Sequence, residues 1–329
     1  MKIAVIGVGA IGGYVGIRLA LAGEDVTFIA RGATLKALRD RGMRLTTAGS
    51  DEILPQVKAT DDYAATGHQD VVILTMKAHQ VAAVAPEVPK LLGSDTVVVP
   101  MQNGIPYWYF HEHGGALAGT RVVSVDPDGI LEKNIPARRV IGCVVYPATE
   151  LVAPGVIKHV EGNRFPLGEP SGLTTERAQR LSDCFTRAKL KAPVLADIRA
   201  EIWLKLWGNM TFNPISALTG ATLAQICQYP PTRALAAAVM TEAQVVAGKL
   251  GITFRVPLER RIEGAEKVGH HKTSMLLDAQ AGRALEIDAL VGAVAELARL
   301  TGTATPHLDA LNALTQLLAR SVLQRGGTH

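Results

Sequence analysis

The chain has 329 residues, of which 48% are hydrophobic and 19% charged, and its formal net charge is +4 at pH 7. This length fits two domains, and the modest charge, without basic clusters interleaved with aromatics, argues against a nucleic-acid partner. No apolar run reaches the roughly 20 residues of a membrane helix, and three widely separated cysteines indicate neither a disulfide framework nor a metal site. We therefore expect a cytoplasmic globular protein that does not associate with membranes.

The first 31 residues predict the start of a dinucleotide-binding domain. Lys2–Ile6 is a short apolar strand, and a helical stretch at 14–22 and a second strand at 25–30 follow it. The turn after the first strand reads Gly7-Val8-Gly9-Ala10-Ile11-Gly12. This is the G-x-G-x-x-G motif in its required setting of strand, turn and helix.

Each glycine of this turn has a physical role. Gly7 permits the tight turn, Gly9 lets a pyrophosphate approach the backbone, and Gly12 lets the helix pack closely on the strand. The start of the helix, at Ala10 and Ile11, offers backbone N–H groups and the positive end of the helix dipole to the phosphates. We expect these residues to bind the cofactor.

The residue after the second strand indicates which dinucleotide binds. An NAD site places an Asp or Glu there to accept hydrogen bonds from the ribose 2′-hydroxyl, whereas this chain has Arg31, which can pair with a 2′-phosphate. We interpret the cofactor as NADP(H). The alternative is that Arg31 is a solvated loop cation.

Residues 1–194 are predicted to form one Rossmann-type domain. Strands at 70–75 and 96–100 alternate with helices at 33–41 and 81–92, which is typical of a doubly wound α/β sheet. Strand-like pieces between residues 121 and 167 have no helix between them, and we expect them to form an antiparallel extension of the same sheet.

Residues 195–329 are predicted to form an all-helical substrate and dimerisation domain. A long helix begins at Ile198, with an expected interruption near Asn213-Pro214. Further helical runs cover residues 232–250, 258–268, 286–300 and 307–323. The apolar stripe of the late helices would form core or a homodimer surface.

Polar residues follow two more strands at the carboxyl edge of the sheet, where ligands bind in open α/β folds. Lys77 and Gln80 follow the strand at 70–75; they could contact the cofactor's phosphate or ribose and its adenosine half, or belong to a solvated helix start. Asn103 follows the next strand. Its amide could bridge the nicotinamide ribose and a substrate oxygen, although Asn-Gly is also a common turn.

Three polar residues share one stripe of the long helix. Lys205, Asn209 and Asn213 are spaced four residues apart, which places them on one face. A cation and two amides on an otherwise apolar helix have a desolvation cost that ordinary packing does not repay. Lys205 either extends to solvent or faces a polar cleft, and we favour the cleft because Trp203 and Trp207 lie on other faces.

The order of these motifs resembles that of the ketopantoate reductase (2-dehydropantoate 2-reductase) family over nearly the full chain. The order is GxGxxG, a strand-end Arg, TxKxxQ, QNG, WxKxxxN and a late Ser-Met…Glu-Ile-Asp segment. The resemblance implies an NADP-binding Rossmann-type domain followed by an all-α domain like the C-terminal domain of 6-phosphogluconate dehydrogenase.

The resemblance also implies roles for individual residues. Lys205 would be the catalytic lysine, with Asn209 as its partner amide and Glu286 as the catalytic-site glutamate. The cofactor-contacting residues would be Lys77, Gln80 and Asn103. The substrate-binding residues would be Ser274, Asn103, Asn209, Asn213 and His271, the last where the family often has asparagine. The aromatic residues at 107–110, like His271, would reshape the pocket.

The implied reaction is the reduction of a 2-oxo acid by NADPH, with ketopantoate as the leading substrate. Lys205 would stabilise the developing alkoxide and donate the proton, and Glu286 would hold and tune it. One alternative is an enzyme of the same architecture that acts on a different 2-oxo acid, or an opine- or 3-hydroxyacid-type dehydrogenase. Another is a non-catalytic NADPH sensor. We expect no metal, because His111-Glu112-His113 and His270-His271 lack a third ligand at helical spacing.

Overall fold

A computed structural model of the chain describes residues 1–326 and divides into two compact units. The first unit comprises Met1–Gln102, Tyr107–Arg121 and Asp128–Ile198, and the other described residues belong to the second. The short segments Asn103–Pro106 and Val122–Pro127 therefore belong to the second unit, although they lie within the predicted first domain, residues 1–194.

Five parallel strands form the central sheet of the first unit. The strands of this unit are β1 (Lys2–Ile6), β2 (Asp25–Ile29), β3 (Met43–Thr46), β4 (Asp51–Leu54), β5 (Lys58–Thr60), β6 (Gln69–Leu74), β7 (Leu92–Pro100), β8 (Gly142–Cys143), β9 (Ala148–Ala153), β10 (Val156–Glu161) and β11 (Leu167–Gly168). The order in the central sheet is β5-β2-β1-β6-β7. Ile3 of β1 lies between Val26 and Val71 of its neighbours, and all three are buried, as in other sheets covered on both faces.

The expected antiparallel extension of this sheet is wrong. β9 and β10 join β3 and β4 in a separate sheet of order β4-β3-β10-β9, and β8 pairs only with β11 in a two-stranded sheet. The physical reason is that β10 has one buried face, with Ile157 buried and Lys158 exposed. Ile157 covers the first helix of the unit at Gly13, where an added Cβ would lie 2.5 Å from the isoleucine side chain. Such a strand cannot occupy a sheet that is buried on both faces.

The helices of the first unit cover the two faces of the central sheet and connect its strands. They are α1 (Ala10–Leu21), α2 (Gly32–Arg41), α3 (Tyr63–Thr66), α4 (Ala78–Val84), α5 (Ile130–Asn134) and α6 (Glu176–Arg187), with 3₁₀ segments at Ala85–Leu91 and Ala137–Arg139. The single helix predicted at 81–92 is thus divided in two. Pro86 and Pro89 lack the N–H groups that an α-helix would need there.

The second unit is helical. Its helices are α7 (Ile198–Thr219), α8 (Leu223–Gln228), α9 (Pro230–Lys249), α10 (Leu258–Lys267), α11 (Ser274–Gln280), α12 (Ala293–Leu300) and α13 (Pro306–Gly326), with a π-helix at Asp288–Gly292 before α12. Across residues 1–326, no helix is both long and apolar enough to span a bilayer. The predicted fold class, a doubly wound Rossmann-type α/β part followed by an all-α part, is confirmed.

The predicted interruption of α7 near Asn213-Pro214 is wrong, because the helix continues through both residues to Thr219. Packing overrides the local effect of proline here. Trp207 is fully buried, donates its indole N–H to the carbonyl of Met240 at 2.8 Å and stacks on Phe254 with ring centroids 4.1 Å apart. These contacts hold the helix before the lost backbone hydrogen bond, and after it Ile215 is buried and the hydroxyl of Ser216 donates to the carbonyl of Ala221 at 2.6 Å.

Candidate active site

The glycine turn after β1 excludes any larger residue at two of its three glycines. Gly7 has a φ of +91°, and a Cβ there would lie 2.9 Å from the backbone nitrogen of Met76. A Cβ at Gly12 would lie 2.2 Å from the carbonyl oxygen of Gly7. A Cβ at Gly9 would have no protein atom within 4 Å, so this glycine opens onto free space. That opening is the approach a pyrophosphate requires.

The N-terminus of α1 lies at this opening. Gly9 caps the helix without a side-chain hydrogen bond, and the first turn contains no acidic residue. The N–H groups of Ala10, Ile11 and Gly12 have no partner in the i−4 pattern of the helix, so they can bind an anion. The turn and the helix start together fit the diphosphate of a dinucleotide.

Thr75 connects the glycine turn to the end of β6. Its hydroxyl donates to the carbonyl of Gly7 and lies 3.1 Å from that of Ile6. This role of Thr75 was not predicted, although its position directly after β6 is the signal that could have identified it. The hydroxyl fixes the turn against the neighbouring strand, so it holds the turn in shape.

The remaining predicted cofactor residues of this unit lie at the same carboxyl edge. Arg31 follows β2 directly, caps α2 and is exposed, and β2 is not followed by an Asp or Glu. Lys77 is half-buried at the start of α4. Gln80 is exposed, and its side-chain oxygen accepts the N–H of Lys77 at 3.2 Å, which orders the helix start.

Gln102, the last residue of the first unit before the chain enters the second, is also fixed by hydrogen bonds. Its amide nitrogen donates to the carbonyls of Leu74 and Met76, each at 2.9 Å. These bonds tie the end of β7 to the end of β6. The role of Gln102 was not predicted, because it depends on which strands are neighbours in the sheet.

In the second unit, the segment Asn103–Pro106 packs directly on the π-helix Asp288–Gly292. The N–H of Ile105 donates to the carbonyl of Ala289 at 2.8 Å. Gly104 has a φ of +96°, and a Cβ there would lie 2.2 Å from the same carbonyl oxygen. Glycine is therefore required after Asn103. Because Gly104 has no side chain, the backbone next to Asn103 can lie directly against the π-helix.

The ammonium of Lys205 on α7 donates a hydrogen bond to the side-chain oxygen of Asn103 at 2.6 Å. A charged donor makes this bond stronger than one between neutral groups. Because Oδ1 of the amide accepts from the lysine, Nδ2 is the side of Asn103 that can donate to another group. The lysine tip thus meets an amide within the second unit, and the lysine side chain is only half-buried.

The other residues of the predicted stripe lie as the helical spacing requires. Asn209 is half-buried and Asn213 is buried on α7, whereas Trp203 and Trp207 are fully buried on other faces. The three residues therefore form a polar line along α7, a helix that also carries the buried polar residues Glu201, Thr211 and Ser216. The line starts near Lys205 and continues for two turns towards the C-terminus.

The predicted substrate residues Ser274 and His271 are both exposed. Ser274 is the first residue of α11, and Thr273, which precedes it, caps that helix through its hydroxyl. Glu286 is half-buried two residues before the π-helix that contacts Asn103–Pro106. Within residues 1–326, no hydrogen bond joins Ser274 or His271 to the Lys205–Asn103 pair.

The aromatic residues at 107–110 are buried, so they do not form an exposed surface. Tyr109 and Phe110 pack edge to face with ring centroids 5.0 Å apart, and the hydroxyl of Tyr107 donates to the carbonyl of Ile135 at 2.7 Å. Among the described residues, no group of three or more His, Cys, Asp or Glu side chains is placed to hold a metal ion.

Comparison with known proteins finds the ketopantoate reductase family along most of the chain. A model of the ketopantoate reductase PanE/ApbA family matches residues 3–172, and the model of its C-terminal domain matches residues 197–319. A 2-dehydropantoate 2-reductase of Mesorhizobium japonicum is 52% identical over 320 residues, which are 97% of this chain and 98% of that protein.

Solved structures agree with this match. A candidate ketopantoate reductase from Ralstonia solanacearum superposes with a TM-score of 0.93 at 44% identity, covering 97% of this chain and 98% of the other. A D-mandelate dehydrogenase solved with NADH and anilino(oxo)acetate has a TM-score of 0.82 at 23% identity, covering 98% and 99% of the two chains. At that identity the second likeness shows a shared fold only.

Proposed function

We propose, because this chain belongs to the ketopantoate reductase family, that it reduces a 2-oxo acid to a 2-hydroxy acid with NADPH and that ketopantoate is its substrate. The observation that carries the proposal is the 2.6 Å hydrogen bond between the Lys205 ammonium and Asn103. It places a positively charged proton donor, which can stabilise and protonate a developing alkoxide, beside an amide that can orient it.

Lys205 is the proposed electrophile and acid. When hydride adds to the C2 carbonyl, negative charge develops on its oxygen, and an ammonium group there stabilises that charge. The lysine then donates a proton to the oxygen, so the product leaves as the neutral alcohol and the amine regains a proton from solvent. The bond to Asn103 uses one of the three ammonium hydrogens and sets the direction of the group.

The neighbouring polar residues are proposed to position the reacting groups. Asn103, whose oxygen accepts from Lys205, has its amide N–H₂ available for the substrate oxygen or the ribose. Asn209 and Asn213 extend the polar line of α7 and are proposed to bind the substrate chain. Glu286 is proposed to hold and tune the lysine. Ser274 and a nearby amide are proposed to bind the substrate carboxylate, and His271 is proposed to lie at the substrate's hydroxyl end.

The residues of the first unit fit NADP(H), which supplies the hydride when bound. The N–H groups of Ala10, Ile11 and Gly12 are proposed to hold the diphosphate at the open side of Gly9. Arg31 is proposed to pair with the 2′-phosphate, because it stands where NAD enzymes carry an acidic residue. Lys77 and Gln80 are proposed to contact the ribose and adenosine half.

A substrate panel tests the proposal. Oxidation of NADPH is followed by absorbance with ketopantoate, pyruvate, 2-oxoisovalerate and oxaloacetate, and we expect kcat/KM to be highest for ketopantoate. A higher kcat/KM for another 2-oxo acid of the panel would change the proposed substrate but leave the proposed reaction unchanged. Tight NADPH binding without turnover of any member would overturn the enzymatic proposal in favour of an NADPH sensor.

A homodimer stays a prediction. The last helix, α13, exposes Leu314 and Leu317, which lie on one side of the helix at i and i+3 and could be covered by a second copy. Light scattering coupled to size exclusion measures the mass directly. A monomer at all tested concentrations would contradict the prediction.

A further inference from the structure

The proposed function leaves one feature of the second unit unexplained, the π-helical turn at Asp288–Gly292. Its backbone hydrogen bonds run from residue i to residue i−5 instead of i−4. The N–H of Gly292 donates to the carbonyl of Ile287 at 3.0 Å, and the N–H of Ala293 donates to that of Asp288. Such turns are rare and are frequent at functional sites. The structure supplies a reason for this one in the segment Asn103–Pro106.

The carbonyl of Ala289 is the one that the π-helical turn makes available to another segment. The return from i−5 to i−4 hydrogen bonds passes over one carbonyl, because the two patterns differ by one residue. The carbonyl of Ala289, which follows those of Ile287 and Asp288, accepts the N–H of Ile105 at 2.8 Å. Ala289 and Ile105 are both buried, so this hydrogen bond is shielded from water. A regular α-helix would use the same carbonyl for its own bond to residue i+4.

This hydrogen bond fixes the backbone next to Asn103. The anchored N–H belongs to the second residue after Asn103, and only Gly104 lies between them. The Asn103 side chain has two rotatable bonds with preferred rotamers, so the position of its amide follows the position of its backbone. Its Oδ1 accepts from the Lys205 ammonium at 2.6 Å. The carbonyl of Ala289 therefore determines where the acceptor of the lysine lies.

We propose that Ala289 is a positioning residue for catalysis. The π-helical turn frees its carbonyl to anchor the Gly104–Ile105 amide, and this anchor holds Asn103 where it orients the Lys205 ammonium. The inference rests on the proposed function, because Lys205 is the proposed acid. Ala289 acts through Asn103 and not by contact with the substrate. A displacement of about 1 Å in the groups around a reacting centre can lower the rate about 100-fold, so the anchor should affect turnover.

Gly104→Ala tests the anchor, because the added Cβ would lie 2.2 Å from the carbonyl oxygen of Ala289 and must displace it. We expect kcat/KM for the 2-oxo acid to fall by about 100-fold, as far as in Asn103→Ala. The double variant Asn103→Ala/Gly104→Ala should be no worse than Asn103→Ala alone, since both changes remove one interaction. Losses that multiply in the double variant would overturn the proposal, because Gly104 would then act independently of Asn103.

Gly251 provides a matched control in the same unit. Its φ of +81° is close to the +96° of Gly104, but a Cβ there would have no atom within 4 Å beyond those of its chain neighbours. Gly251→Ala therefore strains the backbone without a close contact. The melting temperature should fall, whereas kcat/KM should stay at the wild-type value. A loss of kcat/KM equal to that of Gly104→Ala would overturn the proposal, because lower stability alone would then explain both.

A second variant removes the hydrogen bond without adding bulk, and it tests the anchor even if Gly104→Ala does not fold. Replacing Ile105 by its α-hydroxy acid, through nonsense suppression, converts the Gly104–Ile105 amide into an ester that lacks the N–H. The loss of one hydrogen bond should lower kcat/KM by about 3- to 10-fold. The same replacement in the Asn103→Ala protein should lower kcat/KM no further. Wild-type kcat/KM in the ester protein would overturn the proposal.

A measurement without turnover separates this inference from the proposed function. The side-chain amide of Asn103 is observed by heteronuclear NMR of the full chain and identified by its absence from Asn103→Ala. Lys205→Ala should shift this resonance, because it removes the hydrogen bond to Oδ1. In the Gly104→Ala or ester protein, Lys205→Ala should shift it little. That result supports the positioning role even if no 2-oxo acid is reduced, in which case only the proposed function fails. A full response to Lys205→Ala in those proteins overturns the role of Ala289.

Discussion

The glycine turn of the first unit and the Lys205–Asn103 pair of the second are built from different kinds of group. The turn offers backbone N–H groups from one run of six residues, Gly7 to Gly12, and side chains serve only to hold it. The pair consists of two side chains that lie 102 residues apart in sequence. Adding a side chain to the turn should therefore weaken cofactor binding. Removing the charge or the hydrogen bond of the pair should instead lower catalytic activity.

Replacing Lys205 with alanine tests the second region and should have the largest effect. The loss of the ammonium that stabilises the developing oxyanion should lower kcat by about two to three orders of magnitude. The affinity for NADPH, measured by fluorescence titration, should stay near that of the wild type because the glycine turn is intact. Lys36→Ala is the control, since Lys36 is 79% exposed on α2. A Lys205→Ala enzyme with normal turnover would refute the role of the lysine.

Adding a methyl group to the glycine turn tests the first region. In Gly12→Ala the Cβ would lie 2.2 Å from the carbonyl oxygen of Gly7, so we expect a loss of about 1–3 kcal/mol in unfolding free energy together with weak NADPH binding. In Gly9→Ala the Cβ meets no protein atom, so stability should be kept and only NADPH binding should weaken. Thermal unfolding and NADPH titration measure the two effects. Equal melting temperatures for Gly12→Ala and Gly9→Ala would contradict the expected difference in stability between the two positions.

Replacing Arg31 with alanine sharpens the comparison within the first region. If the guanidinium pairs with the 2′-phosphate, the ratio of kcat/KM for NADPH over NADH should fall by roughly 10- to 100-fold, the value of a hydrogen bond between charged groups. Activity with NADH should change little, because NADH lacks that phosphate. A variant with the wild-type ratio would show that Arg31 is a solvated cation.

Each unit contains a buried cysteine whose thiol we expect to be unreactive in the native protein. Burial raises the pKa of the Cys184 thiol to about 12 and that of Cys227 to about 11. The pKa of a thiol in an unfolded chain is about 8.5. The stability that these protonated thiols contribute is therefore fully present below that pH, and it is lost as the pH rises towards their pKa values in the folded protein. We expect neither thiol to react with iodoacetamide in the native protein at about pH 8. Mass spectrometry would show labelling of Cys184 and Cys227 only after denaturation, and labelling of either in the native chain would contradict the prediction.

The parts that the sequence predicted well are those decided by neighbours in the chain. The strand, glycine turn and helix at 2–21 can be read from residue order, because each glycine's role depends on atoms within the motif and on the strand beside it. The polar stripe of Lys205, Asn209 and Asn213 follows from helical periodicity alone. The identity of these residues as candidates therefore needed no coordinates.

The predictions that were wrong depended on pairing and packing between distant segments. β10 pairs with β3 in a separate sheet, and no local pattern specifies that partner. The helix expected to stop near Pro214 continues, because contacts such as Trp207 with Met240 outweigh one lost hydrogen bond. The hydrogen-bonding roles of Thr75 and Gln102 likewise depend on which strands lie side by side.

By itself, the order of residues predicts that the chain binds a dinucleotide through a backbone turn, and it places a polar line with a lysine on α7. Only the tertiary structure decided that the lysine meets Asn103 and that Gly104 is required beside Ala289. The physical reason is the distance along the sequence over which each interaction acts. Turn geometry and helical periodicity act over a few residues, whereas a hydrogen bond between two side chains exists only after folding has brought their backbones together.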